Sequence, residues 1–211
     1  TTDVEDMLDH GFPAVSMEPG VGEDTESYSI KEEDLPRVKE EYDRLAQLFI
    51  RREEEGRPFF FFHFNMDLWK GPCLPKRLRG CGAGHEYLAV VPNGDIYPCH
   101  QFVGREGYVL GKVYEGLKNM KMMHDFRTNH VFTKPECVDC WAKFFCSGGC
   151  HANNEAFAGD IHKPYHITCE IQKKRVECAM MIQAYNQLKK PRVMAQPGSF
   201  EAKREAQEKL Q

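Results

Sequence analysis

The sequence predicts a mixed α/β (α+β) fold, in which the C-terminal end of a partial (β/α) barrel is followed by a small cysteine-rich domain with a β-hairpin and helices. Three observations predict this fold class. Two short apolar segments flank a long amphipathic pattern in the first third of the chain, the sequence then becomes rich in Gly and Cys, and an Asn-Gly pair separates two further apolar segments. We therefore expect three regions: residues 1–70, residues 71–190 and a polar tail at residues 191–211.

The first region is predicted to form a strand, a helix and a second strand. Residues 12–18 are a short apolar segment, and a helix is predicted to start near Ser29, with Glu32 as its capping-box partner, and to end at Gly56. The run at residues 59–64 is almost continuously apolar, which is typical of a strand covered on both faces. Such units are typical of parallel α/β barrels. One unit cannot close a barrel, so these strands either pack on a preceding region, which we favour, or form a small sheet of their own.

The second region is predicted to contain a β-hairpin and several helices. Residues 88–91 and 96–97 are the two strands of the hairpin, because Asn93 and Gly94 supply the positive φ angles that a tight turn needs. Helical patterns follow at residues 117–129, 138–145, 151–157 and 169–188. Beyond Pro191 the sequence is polar and charged, which predicts a frayed or loosely held tail.

Composition excludes several classes of protein. The 211 residues carry a formal net charge of −4, so the chain lacks the basic field of a nucleic-acid-binding protein. The longest apolar run, at residues 59–64, is far shorter than the roughly 20 residues that span a bilayer. The acidic N-terminus lacks the features of a secretion signal and does not begin with Met. We therefore expect a fragment of a larger cytoplasmic protein that binds neither nucleic acid nor membranes.

Cysteine spacing is the strongest functional signal in the sequence. Nine Cys residues in a chain without a secretion signal are more often metal ligands than disulfides. Seven of them and one glycine follow a single pattern: Cys81-x12-Gly94-x4-Cys99, then Cys137-x2-Cys140-x5-Cys146-x3-Cys150, then Cys169. A cubane cluster needs thiolates that converge from different directions, and short spacings let neighbouring turns aim sulfurs inward.

This pattern resembles the SPASM domain, the cluster-binding extension of radical-SAM enzymes that mature ribosomal peptides. The resemblance implies a small iron–sulfur domain with two auxiliary [4Fe–4S] clusters. It assigns to the second cluster the ligands Cys137, Cys140, Cys146 and Cys169, and to the first cluster Cys81, Cys99 and Cys150. The fourth ligand of the first cluster is expected to be Cys73, which we expect to exchange with a substrate thiolate because it lies in a loop.

Shorter sequence words resemble one group within this family, the maturases of SCIFF (six-cysteines-in-forty-five) peptides. These words are Gly71-Pro72-Cys73, Cys81-Gly82-Ala83-Gly84, Glu86-Tyr87-Leu88-Ala89-Val90, Tyr97-Pro98-Cys99-His100-Gln101-Phe102 and the stretch from Cys146 to Asn153. The resemblance implies a Cys-rich precursor peptide as substrate and a thioether between a Cys sulfur and an α-carbon as product. It also implies a reductant such as a ferredoxin or flavodoxin.

The chain departs from this family at one motif. It contains no C-x3-C-x2-C, the motif whose cluster cleaves S-adenosylmethionine. We therefore expect S-adenosylmethionine and a third [4Fe–4S] cluster in a part that precedes Thr1, and we expect this chain to be inactive alone.

Other interpretations of the same residues stay open. Eight thiolates could also form two Cys₄ zinc sites in a non-catalytic, peptide-binding module. His100 follows Cys99 at a position where relatives carry a proton-accepting Asp, so it is a candidate catalytic base, and equally a hydrogen-bond partner of a cluster sulfur. Cys178 lies outside the pattern and is expected to be a small buried side chain. Glu18 ends a predicted strand and is a candidate for a barrel mouth.

Overall fold

The first region contains a parallel strand–helix–strand unit, as predicted. The structure is a computed structural model that describes residues 1–22, 26–68 and 73–189. In chain order, this region holds helix α1 (Thr2–Asp9), strand β1 (Ala14–Val15), helix α2 (Leu35–Glu54) and strand β2 (Phe60–Phe61). The strands pair in parallel, with Ala14 opposite Phe60 and Val15 opposite Phe61. Helix α1 has no counterpart in the predictions.

Both strands are shorter than predicted, and the second is covered on one face only. Phe61 is buried, whereas Phe60 and Phe62 are exposed, so the predicted burial on both faces is wrong for the described residues. The backbone leaves the strand after Phe61 and forms a 3₁₀ turn at Phe62–Phe64. This turn brings Phe64 edge-on against Phe61, with 5.1 Å between ring centroids. Packing of these rings on the core therefore ends the strand early.

Helix α2 begins later than predicted. A 3₁₀ turn at Glu32–Asp34 precedes it, and the Asp34 carboxylate accepts a hydrogen bond of 3.0 Å from the backbone N–H of Lys31. The predicted capping box of Ser29 and Glu32 is therefore wrong, since an acidic side chain further along the chain supplies the acceptor. The predicted end is correct, because Gly56 follows the last turn with a φ of +71°.

The cysteine-rich region contains one antiparallel sheet and six helices among the described residues. Its strands are β3 (Ala89–Val90), β4 (Asp95–Tyr97), β5 (Gly111–Lys112) and β6 (Gly116–Leu117). Its helices are α3 (Leu74–Arg79), α4 (Met120–Thr128), α5 (Pro135–Val138), α6 (Lys143–Cys146), α7 (His151–Ala158) and α8 (His166–Lys189). The strands follow one another in the order β3-β4-β5-β6. The mixed α/β fold class is thus confirmed.

The predicted hairpin and most of the predicted helices are confirmed. In the hairpin, Ala89 pairs with Tyr97, and Gly94 has a φ of +85° in the turn. The helix predicted over residues 138–145 is wrong, because two short helices, α5 and α6, occupy this stretch. A turn separates them, with the backbone N–H of Cys140 bonded to the carbonyl of Cys137 at 3.2 Å. Helix α3 and the strands β5 and β6 were not predicted.

Helix α8 connects the two regions. It packs along α2 and on the 3₁₀ turn after β2. Its buried residues, including Ile171, Cys178 and Ile182, share one hydrophobic core with Leu45 and Phe61 of the first region. A separate core in the cysteine-rich region surrounds the fully buried rings of Phe102 and Phe126, along with Ala83, Tyr97, Cys99, Ala152 and Ile161. The sequence at the end of the second region thus completes the core of the first.

Two predictions fall outside the described residues. The boundary near residue 70 lies within residues 69–72, and the polar tail lies within residues 190–211. The division into residues 1–70, 71–190 and 191–211 therefore stays a prediction. Among the residues that the structure describes, no helix is both long and apolar enough to cross a membrane.

Candidate metal centre

Four cysteines that are distant in sequence line one cavity of about 250 Å³. They are Cys137, Cys140, Cys146 and Cys169. Helix α5 carries the first, the following turn carries the second, α6 ends at the third, and the first turn of α8 carries the fourth. Two short helices, a turn and the first turn of a long helix thus bring four cysteines to one cavity. We call these four cysteines the second sulfur group.

Electrostatics links the members of the second sulfur group to one another. Burial raises the pKa of Cys137 to about 11 and that of Cys169 to about 12. Negative charge on the neighbouring sulfurs adds to both increases. Burial and the charge of Cys140 likewise raise the pKa of Cys146. In the absence of a cation these groups are therefore protonated at neutral pH, and a bound metal would have to displace the protons.

Three further cysteines form a first sulfur group. Burial raises the pKa of Cys99, and the charges of Cys150 and Cys81 raise it further. The pKa of Cys81 is likewise raised by burial of its thiol and by Cys150, although the residue as a whole is exposed. The side-chain amide of Gln101 donates to Cys150 Sγ at 3.7 Å. Cys99 follows β4, Cys150 precedes α7, and both are tied to the second hydrophobic core.

A loop with three successive positive φ angles joins the two groups. Between Cys146 and Cys150, the φ angles of Ser147, Gly148 and Gly149 are +60°, +85° and +75°. The backbone N–H groups of both glycines donate hydrogen bonds toward the sulfur of Cys146. Successive N–H groups in left-handed conformations form a concave site for negative charge. The loop is therefore shaped to stabilise a thiolate at its first cysteine.

A fully buried lysine, Lys134, lies beside both groups. Its Nζ donates to the carbonyl oxygen of Gly148 at 2.7 Å, and the amide of Asn154 donates to the same oxygen at 3.2 Å. The charges that act on the ammonium include those of Cys137, Cys146, Cys169 and Cys81, so both sulfur groups are represented. This residue was not among the sequence-based predictions. Its local sequence carried no signal for a buried position.

Three sequence-selected residues stand apart from these groups. Cys73 is exposed at the start of α3, and no described electrostatic contact connects it to the other sulfurs. His100 is exposed, and its Nδ1 shares a hydrogen bond of 3.1 Å with the hydroxyl of Tyr87. Cys178 is buried between α8 and α2, where its thiol donates to the carbonyl of Tyr42 at 3.6 Å. The prediction that Cys178 is a small buried side chain is confirmed.

A cleft of about 530 Å³ lies between the first region and both sulfur groups. Cys146, Cys150 and Cys169 line it from the cysteine-rich side, and Glu18 and His63 line it from the first region. Glu18 therefore lines a cleft, and its position at a barrel mouth stays a prediction. Gln101 and Arg175 also line this cleft. Gln101 stands in one of the sequence words that resemble the SCIFF maturases, whereas the sequence offered no signal for Arg175.

Polar side chains of the first region and Arg175 of α8 form one network in this cleft. The Tyr42 hydroxyl lies 2.7 Å from His63 Nδ1, and Glu18 Oε1 lies 3.0 Å from His63 Nε2 without the alignment of a hydrogen bond. Arg175 Nε donates to the His63 carbonyl at 3.1 Å, and its guanidinium stacks over the ring of Phe62. Burial lowers the pKa of His63 despite the nearby carboxylate. The cleft thus combines a neutral imidazole with a fixed cation.

The donor set fits an iron–sulfur cluster. Four thiols around one cavity, with N–H donors on Cys146 and on Cys99, provide soft ligands and hydrogen bonds to sulfur. No three His, Cys, Asp or Glu side chains in the described ranges lie close enough to hold a single metal ion. The ligand roles of the individual cysteines stay predictions.

Comparisons with known proteins agree with this geometry. Residues 81–141 match the family model of SPASM, an iron-sulfur cluster-binding domain. The chain is also similar to a solved structure described as native anSMEcpe with bound AdoMet and Kp18Cys peptide, with a TM-score of 0.54 and 16% sequence identity. The match covers 87% of this chain and 53% of that chain, so the present chain spans about half the length of its structural relative. No curated protein matches the chain.

Residues 81–141 are thus similar to a SPASM iron-sulfur cluster-binding domain. The family match covers four of the selected cysteines, namely Cys81, Cys99, Cys137 and Cys140. The structural match shows the fold, including the small antiparallel sheet and the helices around it.

Proposed function

We propose that this chain is the C-terminal, auxiliary-cluster portion of a radical-SAM enzyme that installs a thioether in a Cys-rich, ribosomally made peptide. The observation that carries the proposal is the cleft of about 530 Å³. Cys150 of the first sulfur group and Cys146 and Cys169 of the second line this one cleft. A peptide in the cleft would therefore lie beside both cluster sites.

In this proposal the second sulfur group holds one [4Fe–4S] cluster through Cys137, Cys140, Cys146 and Cys169. Cys81, Cys99 and Cys150 hold the other. Cys73 is its exchangeable fourth ligand, and its exposed position outside the first sulfur group supports exchange. When bound, such clusters supply sites that accept and pass on single electrons. The protein contributes the thiolates, the N–H groups directed at sulfur and the burial of the sites.

The chemistry needs such an electron acceptor. Forming a C–S bond from a C–H and an S–H group removes one hydrogen atom from carbon, and one proton and one electron from the thiol. S-adenosylmethionine, bound with a third cluster in a preceding part of the enzyme, would supply the radical that takes the hydrogen atom. The electron would leave through this chain. A ferredoxin or flavodoxin in the cytoplasm is the proposed reductant for the enzyme.

The walls of the cleft suit a peptide. Gln101 and Asn153 offer amides to the peptide backbone from the cysteine-rich side. Arg175 of α8 adds a guanidinium to the same cleft, held by the His63 carbonyl and the ring of Phe62. A fixed cation of this kind pairs with a peptide carboxylate. His100 stays a candidate base, although its hydrogen bond to Tyr87 also fits a positioning role for the loop after Cys99.

The test uses the full-length enzyme, prepared anaerobically with its clusters reconstituted. It is incubated with S-adenosylmethionine, a reductant and a Cys-rich peptide, and the peptide is analysed by mass spectrometry. We expect the loss of two hydrogen atoms per cross-link and a donor Cys that no longer reacts with an alkylating reagent. A peptide with Ser at the donor position is the control. Stoichiometric zinc without sulfide in the purified protein, or an unmodified Cys peptide with intact clusters, would contradict the proposal.

A further inference from the structure

The side chain of Lys134 is a buried cation without a carboxylate partner among the described residues. Its relative exposure is 0%, and no ion pair forms at its Nζ within the described ranges. Its hydrogen-bond acceptor is the neutral carbonyl oxygen of Gly148. Local structure therefore gives no reason for a cation here.

Burying an ammonium group costs several kcal/mol unless opposite charge lies nearby. One hydrogen bond to a neutral carbonyl contributes only about 1–3 kcal/mol, so it does not offset this cost. The negative charge that can offset it comes from the cysteines. Cys137, Cys146 and Cys169 of the second sulfur group act most strongly on Lys134, followed by Cys81 of the first group. Burial has the largest effect on Lys134 and lowers the pKa of its ammonium group, whereas negative charge on these sulfurs acts in the opposite direction. Thiolates at these cysteines would therefore favour the charged form of Lys134.

We propose that Lys134 is a positioning residue that serves as a shared counter-charge for both cluster sites and favours their reduced states, the second more than the first. This inference rests on the proposed cluster ligation and is independent of the thioether chemistry. A thiolate-bound cluster is anionic and gains one more negative charge on reduction. A fixed cation nearby lowers the free energy of the reduced state more than that of the oxidised state.

The surroundings hold the ammonium in place. Gly148 O accepts from Lys134 Nζ and from Asn154 Nδ2, so the carbonyl that orients the lysine is itself fixed. A Cβ atom at position 148 would lie 3.2 Å from Nζ, which explains why glycine occupies this position. Water does not reach the side chain, so its charge is screened little. The same loop carries Cys146 and Cys150, so one cation stands beside the link between the two sites.

The experiment compares cluster reduction potentials in variants of the full-length protein. Lys134→Met removes the charge and the hydrogen bond, Lys134→Gln removes the charge but keeps a donor, and Lys134→Arg keeps the charge. Lys173→Met is the matched control. Lys173 also lines the cavity of the second sulfur group and its charge also acts on Cys140 and Cys169, but it is partly exposed and its charge is balanced by Glu170 at 2.8 Å. Iron and sulfide are quantified first. The midpoint potentials then follow from redox titration monitored by electron paramagnetic resonance.

We expect both neutral variants to lower the equilibrium constant for reduction of the second cluster about tenfold, equivalent to about 59 mV for one electron. We expect a smaller shift of the reduction potential in the same direction at the first cluster. The potentials of Lys134→Arg and Lys173→Met should stay close to those of the wild type. If both neutral variants lose the second cluster while Lys134→Arg keeps it, the cluster needs a positive charge at position 134. That result also supports the role of Lys134 as a counter-charge.

Four outcomes would overturn the inference. The first is an unchanged potential in Lys134→Met that holds both clusters, and the second is a wild-type potential in Lys134→Gln when the potential of Lys134→Met is shifted. The third is a shift in Lys173→Met as large as that in Lys134→Met. The fourth is loss of the clusters in all three Lys134 variants. A wild-type protein that holds zinc without sulfide would instead contradict the proposed function, before any variant is compared.

Discussion

Cys146 and Cys150 end the same loop, yet their sulfurs belong to different groups. Cys146 faces the cavity that Cys169 also lines, whereas Cys150 acts electrostatically on Cys81 and Cys99. Only three residues separate the two cysteines, and all three have positive φ angles. The backbone turn that these residues make therefore sends neighbouring sulfurs to two different sites.

The first prediction concerns the grouping of the sulfurs. Cys140→Ala and Cys169→Ala should each remove the same cluster, about four iron atoms per chain, because a cubane loses stability without its fourth thiolate. Cys99→Ala should remove the other cluster. Iron analysis and the spectrum of the reduced protein distinguish the two losses.

Cys178→Ala is the matched control for this experiment. Cys178 lies on the same helix as Cys169, but its thiol contacts the carbonyl of Tyr42 in the first hydrophobic core. The variant should keep all its iron. Loss of the Cys99 cluster in the Cys169→Ala variant, with the Cys140 cluster intact, would refute the grouping.

The second prediction concerns the loop between the groups. Gly148→Ala and Gly149→Ala should each cost about 1–2 kcal/mol, because a Cβ atom is disfavoured at these φ angles. They should also lower iron retention, because the new Cβ would lie 3.2 Å from Lys134 Nζ or from Asn154 Oδ1. Urea unfolding and iron loss to a chelator are the measurements.

Gly159→Ala separates backbone strain from crowding. Its φ of +78° is similar, but a Cβ atom at this position would have no atom within 4 Å beyond its immediate chain neighbours. We expect a comparable loss of stability with normal iron retention. Equal iron loss in all three variants would show that strain alone, and not the local contacts, is responsible.

The third prediction concerns pH and the contact between α2 and α8. Hydrogen bonds from Lys173 and Lys39 lower the pKa of Glu170 to about 2. Because the folded pKa lies below the unfolded value, the contribution to stability is full above about pH 4.5 and is lost as pH falls toward 2. Glu170→Gln should lower the free energy of unfolding at neutral pH by about 0.5–1 kcal/mol, since the pair is partly exposed.

The measurement is urea unfolding at several pH values, followed by circular dichroism. The difference between the wild type and Glu170→Gln should shrink as pH falls below 4.5. Lys39→Met should reproduce part of the effect, because Lys39 Nζ lies 2.6 Å from Glu170 Oε2. A difference that grows toward low pH would contradict the assigned direction.

The fourth prediction concerns Cys73. If its thiolate exchanges with that of the substrate, a Cys-containing peptide should change the spectrum of the first cluster in the full-length enzyme, and a Ser-containing peptide should not. Binding to iron would lower the pKa of the substrate thiol and fix its sulfur. An unchanged spectrum, together with full thioether formation by Cys73→Ala, would leave Cys73 without either role.

Much of the candidate site was accessible from the sequence, because cysteine spacing is a local property. The second sulfur group contains the four cysteines that the resemblance had assigned together, and the hairpin that positions Cys99 followed from its Asn-Gly turn. Ligand function itself remains a prediction. In the fold, the apolar segments predicted the two strands, and their likeness to a unit of a parallel α/β barrel agrees with the parallel pairing of β1 and β2.

Other features could not be predicted, because they depend on contacts between distant residues. Lys134 is buried by the packing of the Cys146–Cys150 loop, and nothing in its local sequence gives its depth. Phe60 and Phe62 look like core residues by composition, but the turn after β2 leaves them exposed. The capping box before α2 differs from the prediction, because the Asp34 carboxylate, and not that of Glu32, accepts a backbone N–H, and the donor is Lys31 instead of Ser29.

Helix α8 has a consequence for the design of chimaeric proteins. Its first turn supplies Cys169 to the second sulfur group, while Ile171 and Ile182 on the same helix fill the core formed by Leu45 and Phe61. A recombination junction placed before this helix would therefore combine a foreign ligand with a mismatched core. Exchange of the cysteine-rich region between related enzymes should succeed only when α8 and α2 are transferred from the same parent.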